Sequence, residues 1–302
     1  MDETMGALTT EAVDDRFQQL DRLSTAELLA AINREDQTVA HAVKRALPAI
    51  AGVVEAVVAR LGEGGRMLYV GAGTSGRIAV LDAAEWTPTF GTPDGLVVGV
   101  LAGGLEVFLR ARENAEDDEA KGAGDLARHE PCAADVVLGV TASGRTPYVQ
   151  GALRLAAARG ALTVLLSNNV GSRIGPLCDH VIEVDTGPEV LAGSTRLKAG
   201  TAQKMVLNMI STAVMVKAGR VYRNLMVDVR PTNAKLVERA RRIIALAADV
   251  SPEEADRVWA HCHQSVKAGI VMARLGIPYE EAARRLAGAG GFVRRALEAD
   301  AP

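Results

Sequence analysis

Aromatic residues make up only 3% of this 302-residue chain and its formal net charge is −3 at pH 7, so it lacks both the stacking surfaces and the basic face that nucleic-acid binding uses. Its three cysteines, Cys132, Cys178 and Cys262, are scattered without C-x-x-C spacing, which argues against a disulfide framework or a zinc site and predicts a reducing compartment. Long apolar runs are missing too, since the apolar helical stretch from Met205 to Val216 is interrupted by Asn208 before it reaches spanning length. The N-terminus has no basic segment followed by an apolar one. A cytoplasmic protein with no membrane partner is therefore expected. What remains is a chain that is 48% hydrophobic, rich in helix-favouring alanine, and long enough for one substantial core with an appendage or for two modest domains.

The organising stretch is 67–85. An apolar run at 67–70 meets Gly71-Ala-Gly-Thr-Ser-Gly76, after which Ile78, Val80, Leu81 and Ala84 return at helical spacing. Glycines there let backbone amides converge on an anion at the positive end of the following helix, and Thr74 and Ser75 add hydroxyl donors. The same letters fit the dinucleotide fingerprint, but the acidic residue which that motif needs at the end of the second strand is absent. The strand at 96–101 runs into Ala102-Gly103-Gly104, with Glu106 arriving later. A tight turn without a ligand is the other reading of this loop alone.

Further strand-like runs at 135–140, 162–166 and 180–184 alternate with helical stretches. They predict an α/β fold, a five-stranded parallel sheet doubly wound by helices. Ahead of it, Ser24 and Glu27 form a capping box for a short helix, and a second helix is predicted from about Asp36 to the glycines at 62–65. Residues 1–22 read as an arm. Beyond the sheet, helices are predicted from Leu197 to about Ala218 and from Ala234 to Ala248, the second with a basic stripe that reads as a solvated face or a partner contact. Short helices follow from Ser251. The expected division is an N-terminal helical arm at 1–50, a ligand-binding domain at 51–248 and a small C-terminal helical domain at 249–302.

Two more strand ends repeat the chemistry of the first. Thr141-Ala-Ser-Gly-Arg-Thr146 precedes Pro147, placing Ser143, the Gly144 backbone, Arg145 and Thr146 at a helix N-terminus. The last strand leads through Gly187-Pro-Glu to Ser194 and Thr195 ahead of the long helix. Any one loop could be ordinary helix capping. Three hydroxyl-rich loops at the carboxyl ends of strands in one sheet, two of them carrying Arg77 or Arg145, point instead to a phosphate ester. No Walker lysine or paired aspartates call for a nucleoside triphosphate or magnesium, and no cofactor is expected. His261-Cys262-His263 has no further ligand cluster in view, so no metal is expected either.

These loops resemble the sugar isomerase (SIS) domain, a flavodoxin-like sandwich that binds phosphosugars. Gly71-Ala-Gly-Thr-Ser-Gly-Arg77, Ala115-Glu-Asp-Asp118, Ala142-Ser-Gly-Arg-Thr-Pro-Tyr148, Gly193-Ser-Thr-Arg-Leu-Lys198 and Asn224-Leu-Met-Val-Asp228 together resemble the N-acetylmuramic acid 6-phosphate etherase family, from about residue 24 to the end. The chain departs from that pattern at Trp86 and Thr87, where the family has Cys and Pro, and after Thr10-Glu11, where an Asn is missing. The resemblance implies a lyase that removes lactate from carbon 3 of a phosphorylated amino sugar in cell-wall recycling. It implies Glu85 as proton donor and Glu116 as the second acid–base group. It also implies a homodimer with sites near the interface and a UBA-like tail. From spacing alone Glu85 reads as a surface residue at a helix end and Glu116 as a charge favoured by a helix dipole. Lys198 and Arg196 are candidates for the phosphate or the lactyl carboxylate. A non-catalytic phosphosugar sensor and an aldose–ketose isomerase are the alternatives for the same loops.

Overall fold

A reciprocal cap starts the first helix: the Ser24 hydroxyl accepts the Glu27 amide (3.4 Å) and the Glu27 carboxylate accepts the Ser24 amide (2.9 Å). Helix α1 then runs unbroken over Thr25–Gly62 in this computed structural model, which describes residues 8–104, 106–109, 115–231 and 233–299. Residues 1–7 of the expected arm and 300–302 of the expected tail lie outside the described residues. The two helices expected before the sheet are one. Nothing in the polar stretch 33–38 breaks a helix, and its Glu35 is buried at 6% exposure. Polarity there marks a buried charge, not a linker.

The sheet is built from β1 (Met67–Gly71), β2 (Val97–Leu101), β3 (Val136–Thr141), β4 (Leu162–Ser167) and β5 (His180–Glu183), all parallel, in the order β2-β1-β3-β4-β5. Between them lie α2 (Gly73–Phe90), α3 (Glu106–Leu109), α4 (Glu119–Ala127) and α5 (Pro147–Ala158). Every residue of β1 and β3 is buried, as continuous apolar strands covered on both faces must be. Leu68, Val70, Val137 and Leu165 pack with Val149 and Leu153 of α5 in one apolar cluster.

Register sets the ends of these strands level. Gly71 pairs with Leu101 and with Val140, and Thr141 pairs with Ser167. Because β1 leads toward β2 on one side and β3 toward β4 on the other, their outgoing chains part and leave a crevice between them. Gly76 seats α2 close to β1: a Cβ there would fall 2.5 Å from the Gly71 carbonyl oxygen and 2.5 Å from Leu101 Cδ1.

After β5 come α6 (Lys198–Lys217), a two-stranded antiparallel hairpin of β6 (Val221–Tyr222) and β7 (Leu225–Met226), then α7 (Ala234–Ala248), α8 (Pro252–His261), α9 (Val266–Leu275), α10 (Tyr279–Gly288) and α11 (Val293–Glu298). Strands this short leave no periodicity to read, and the hairpin is new to the structure. The chain divides into two compact units, Met1–Ala84 with Gly95–Ser211, and Glu85–Asp94 with Thr212–Pro302. In the second, Ile243, Ile244, Val258, Ile270 and Val271 share a separate apolar core, and Asp228 pairs with Lys267 (2.5 Å) and Arg220 (3.2 Å). Among the described residues no helix is long and apolar enough to cross a membrane.

Candidate active site

The crevice between β1 and β3 opens into a cavity of about 400 Å³, large enough for a small polar ligand. Among the described residues its walls come from the first unit. From β1 come Gly73, Thr74 and Ser75, which form the first turn of α2, where backbone amides have no acceptor within the helix.

From β3 come Ser143, Arg145 and Thr146. Thr141, 2% exposed, organises them: its hydroxyl lies 2.7 Å from that of Thr146 and 3.4 Å from that of Ser143, and Ser143 Oγ also accepts the Arg145 amide at 3.2 Å. Thr146 stands at the N-cap of α5 yet makes no side-chain cap bond. Its hydroxyl is turned to Thr141 instead, so simple capping does not explain this loop.

Gly193 and Thr195 of the third loop reach the same cavity, but the helix behind them is already satisfied. The buried Glu189 carboxylate accepts the amides of Lys198 (2.9 Å) and Ala199 (3.0 Å), the first two residues of α6. Burial pushes the Glu189 carboxyl above its ordinary range, and those two amides oppose the rise. This loop offers the cavity the Thr195 side chain and not a free helix end.

Glu116 and Asp117 line the cavity as well. A Cβ on Gly73 would come within 3.8 Å of Glu116 Oε2, which sets that carboxylate beside the start of α2. The Glu116 carbonyl accepts the Tyr148 amide (3.0 Å), tying the stretch to α5. In the acidic run it is Asp118 that caps α4, accepting the Lys121 amide at 2.8 Å.

Thus Thr74, Ser75, Ser143, Arg145, Thr146, Thr195 and Glu116 share one cavity. Gly144 and Ser194 are not on its wall. Gly144 adopts φ +69° with its carbonyl accepting the Ile174 amide (3.2 Å), and the Ser194 carbonyl accepts the Leu197 amide (3.2 Å). Glu85 belongs to the second unit, where it is exposed on α2 beside Trp86, 1% exposed.

Two expected cations are committed elsewhere. Arg77 donates to the Val107 carbonyl (3.1 Å), and Lys198, 3% exposed, pairs with Glu35 (2.9 Å). Arg16 also pairs with Glu35, at 2.9 Å. Burial opposes ionisation of Glu35 most, yet the hydrogen bonds and charges of Lys198 and Arg16 outweigh it and hold the carboxyl below its ordinary value. Among the described residues no group of three or more His, Cys, Asp or Glu side chains is placed to hold a metal, and His263 packs against Tyr279 at 4.3 Å between ring centroids. Cavity residues that were not among the expected site residues include Leu8 and Glu11, and also Asp117 and Thr141, which the motifs contain without a role. Thr10-Glu11 stood out in the sequence only for the missing Asn after it.

A family model described as the glucokinase regulatory protein N-terminal SIS domain matches residues 49–157, and a SIS domain model matches residues 127–213. An N-acetylmuramic acid 6-phosphate etherase from Rubrobacter xylanophilus is 55% identical over 297 residues, covering 98% of both chains. Another from a Geobacillus species is 52% identical, covering 96% of this chain and 99% of its own. A phosphoheptose isomerase from Francisella tularensis shares the fold at a TM-score of 0.50 and 18% identity, over 64% of this chain and 98% of that one.

Proposed function

The chain belongs to the N-acetylmuramic acid 6-phosphate etherase family, and from that premise we propose that it is a carbon–oxygen lyase. It converts N-acetylmuramic acid 6-phosphate and water into N-acetylglucosamine 6-phosphate and D-lactate. The observation that carries the proposal is the meeting of the α2 start, the Ser143–Thr146 hydroxyls, Arg145 and Glu116 on one cavity. The first three suit a phosphoryl group, which needs many donors around a small tetrahedron. Glu116 supplies a carboxylate beside them.

Opening of the sugar ring to its aldehyde makes the hydrogen on carbon 2 acidic. Glu116 takes that proton, the electron pair forms the C2–C3 double bond, and the C3–O bond breaks. Glu85 gives a proton to the departing lactate oxygen. Water then adds across the double bond, its hydroxyl to carbon 3 and a proton to carbon 2, which restores both carboxyl groups. Such chemistry asks for one ionised and one protonated carboxyl in different surroundings. We further propose that the protein works as a homodimer in the cytoplasm, with each site near the interface.

Incubating the purified protein with N-acetylmuramic acid 6-phosphate and assaying D-lactate tests the reading. Lactate should appear, and Glu116→Gln or Glu85→Gln should slow its release about 10²- to 10⁴-fold, the usual contribution of a positioned acid or base. Binding without lactate release by the wild type would make the protein a sensor. Release unaffected by either change would remove that residue's role.

A further inference from the structure

The reaction leaves one wall of the cavity unused. Residues Thr9–Glu11 form a 3-10 turn ahead of α1 that brings Leu8 and Glu11 to the cavity. A terminal arm ordinarily frays unless it is tied down. This one is bolted in place. Asn169, 3% exposed, donates from Nδ2 both to the buried Thr10 hydroxyl (2.9 Å) and to the Ala142 carbonyl (2.9 Å) on the cavity wall. The Thr9 hydroxyl reaches Asn169 Oδ1 (3.0 Å) and Asp185 Oδ1 (3.1 Å). One buried amide therefore clamps the arm and the Ser143 loop together. Farther along, Arg16 is anchored to Asp14 (2.6 Å) and Glu35 (2.9 Å).

The clamp fixes where the Glu11 carboxylate goes. Gly193, at φ +73°, lies so near that a Cβ on it would stand 2.9 Å from Glu11 Oε2. A side chain at 193 would both strain the backbone and push the carboxylate away. Among the described residues no side chain pairs with Glu11. A carboxylate is an acceptor only, so what it faces in the cavity must donate. An unpaired carboxylate also repels a second anion, which disfavours the phosphoryl group on that wall.

We infer that Glu11 is a specificity-determining residue whose carboxylate accepts hydrogen bonds from the neutral hydroxyl or acetamido N–H donors of the sugar, turning its phosphoryl end to the α2 and α5 starts. This inference rests on the phosphosugar reading above. It concerns which part of the ligand is read, and by what.

Calorimetric titration of the full-length wild type, Glu11→Ala and Glu11→Gln with N-acetylglucosamine 6-phosphate and, separately, with inorganic phosphate tests it. Loss of a hydrogen bond to a charged group should weaken sugar phosphate binding by Glu11→Ala about 10- to 100-fold. Inorganic phosphate should bind equally well or better, since only a repelling charge has gone. Glu11→Gln, which keeps one acceptor oxygen, should fall between, and Gly193→Ala should shift the sugar phosphate affinity in the same direction as Glu11→Ala. Equal sugar phosphate affinity in Glu11→Ala and wild type overturns the inference while leaving the phosphosugar reading intact. So does an equal weakening of both ligands, which would make the arm merely a structural wall. A wild type that binds inorganic phosphate but not the sugar phosphate sinks both.

Discussion

Replacing Lys198 by methionine separates a structural lysine from a ligand-binding one. The side chains of Lys198 and Glu35 are only 3% and 7% exposed, and their 2.9 Å contact joins the start of α6 to the N-terminal third of α1. Removing the ammonium leaves Glu35 buried with Arg16, whose own side chain is 63% exposed and thus screened by water. Breaking one partner out of a buried pair costs about 3–5 kcal/mol, and with Arg16 still present the low end, roughly 3 kcal/mol, is expected. For a domain of this size each kcal/mol shifts the melting temperature by about 2–4 °C, so a fall of roughly 6–12 °C follows. Thermal unfolding by circular dichroism at neutral pH measures it. The pair Lys198→Met with Glu35→Leu should recover most of the loss, because an apolar contact of similar volume replaces a buried ion pair with little penalty. Phosphate affinity measured well below the melting temperature should not change. A Lys198→Met protein that melts within about a degree of wild type yet loses phosphate affinity would refute the structural assignment.

Acid should weaken the fold through Asp135 as well as Glu35. Asp135 is 1% exposed and accepts from Arg66 at 2.7 Å; burial works against its ionisation, but Arg66 and the Cys132 amide hold its carboxyl below the ordinary 3.8. A depressed carboxyl stabilises fully above its unfolded value, and that contribution drains as pH falls through the folded one, so the melting temperature should drop as pH falls below about 4.5 and less steeply in Asp135→Asn. Glu189, raised by burial, contributes in the opposite sense and should blunt the drop. Gly76→Ala should cost about 1–3 kcal/mol by overpacking α2 against β1 and should weaken phosphate binding, whereas Gly124→Ala, where a Cβ meets open space, should be neutral or slightly stabilising.

The strands were legible almost to the residue because each is a short apolar run between turn signals, and burial of both sheet faces enforces that pattern. Several residues that line the cavity, Thr74, Ser75, Ser143, Thr146 and Thr195, carry a local signal, a hydroxyl between a strand and a helix, but Ser194 carries the same signal and lies off the wall. Charge pairing was not legible. Arg77 and Lys198 both looked available for a ligand, and each is spent on a partner fixed only by folding, with Lys198 and Glu35 separated by 163 positions. The same holds for the arm. Nothing local in Thr9-Thr10-Glu11 indicates that Asn169, 159 positions beyond Thr10, will hold it at the cavity. The unbroken α1 was missed because a buried Glu35 reads, in sequence, like a polar linker.

The most direct test of the central claim is a crystal structure with N-acetylglucosamine 6-phosphate bound. Its phosphoryl oxygens should lie about 2.7–3.0 Å from the Ser75, Ser143 and Thr146 hydroxyls, with carbon 3 turned toward Glu116. A phosphoryl group seated away from the β1 and β3 ends, or a sugar whose carbon 3 faces away from Glu116, would contradict it.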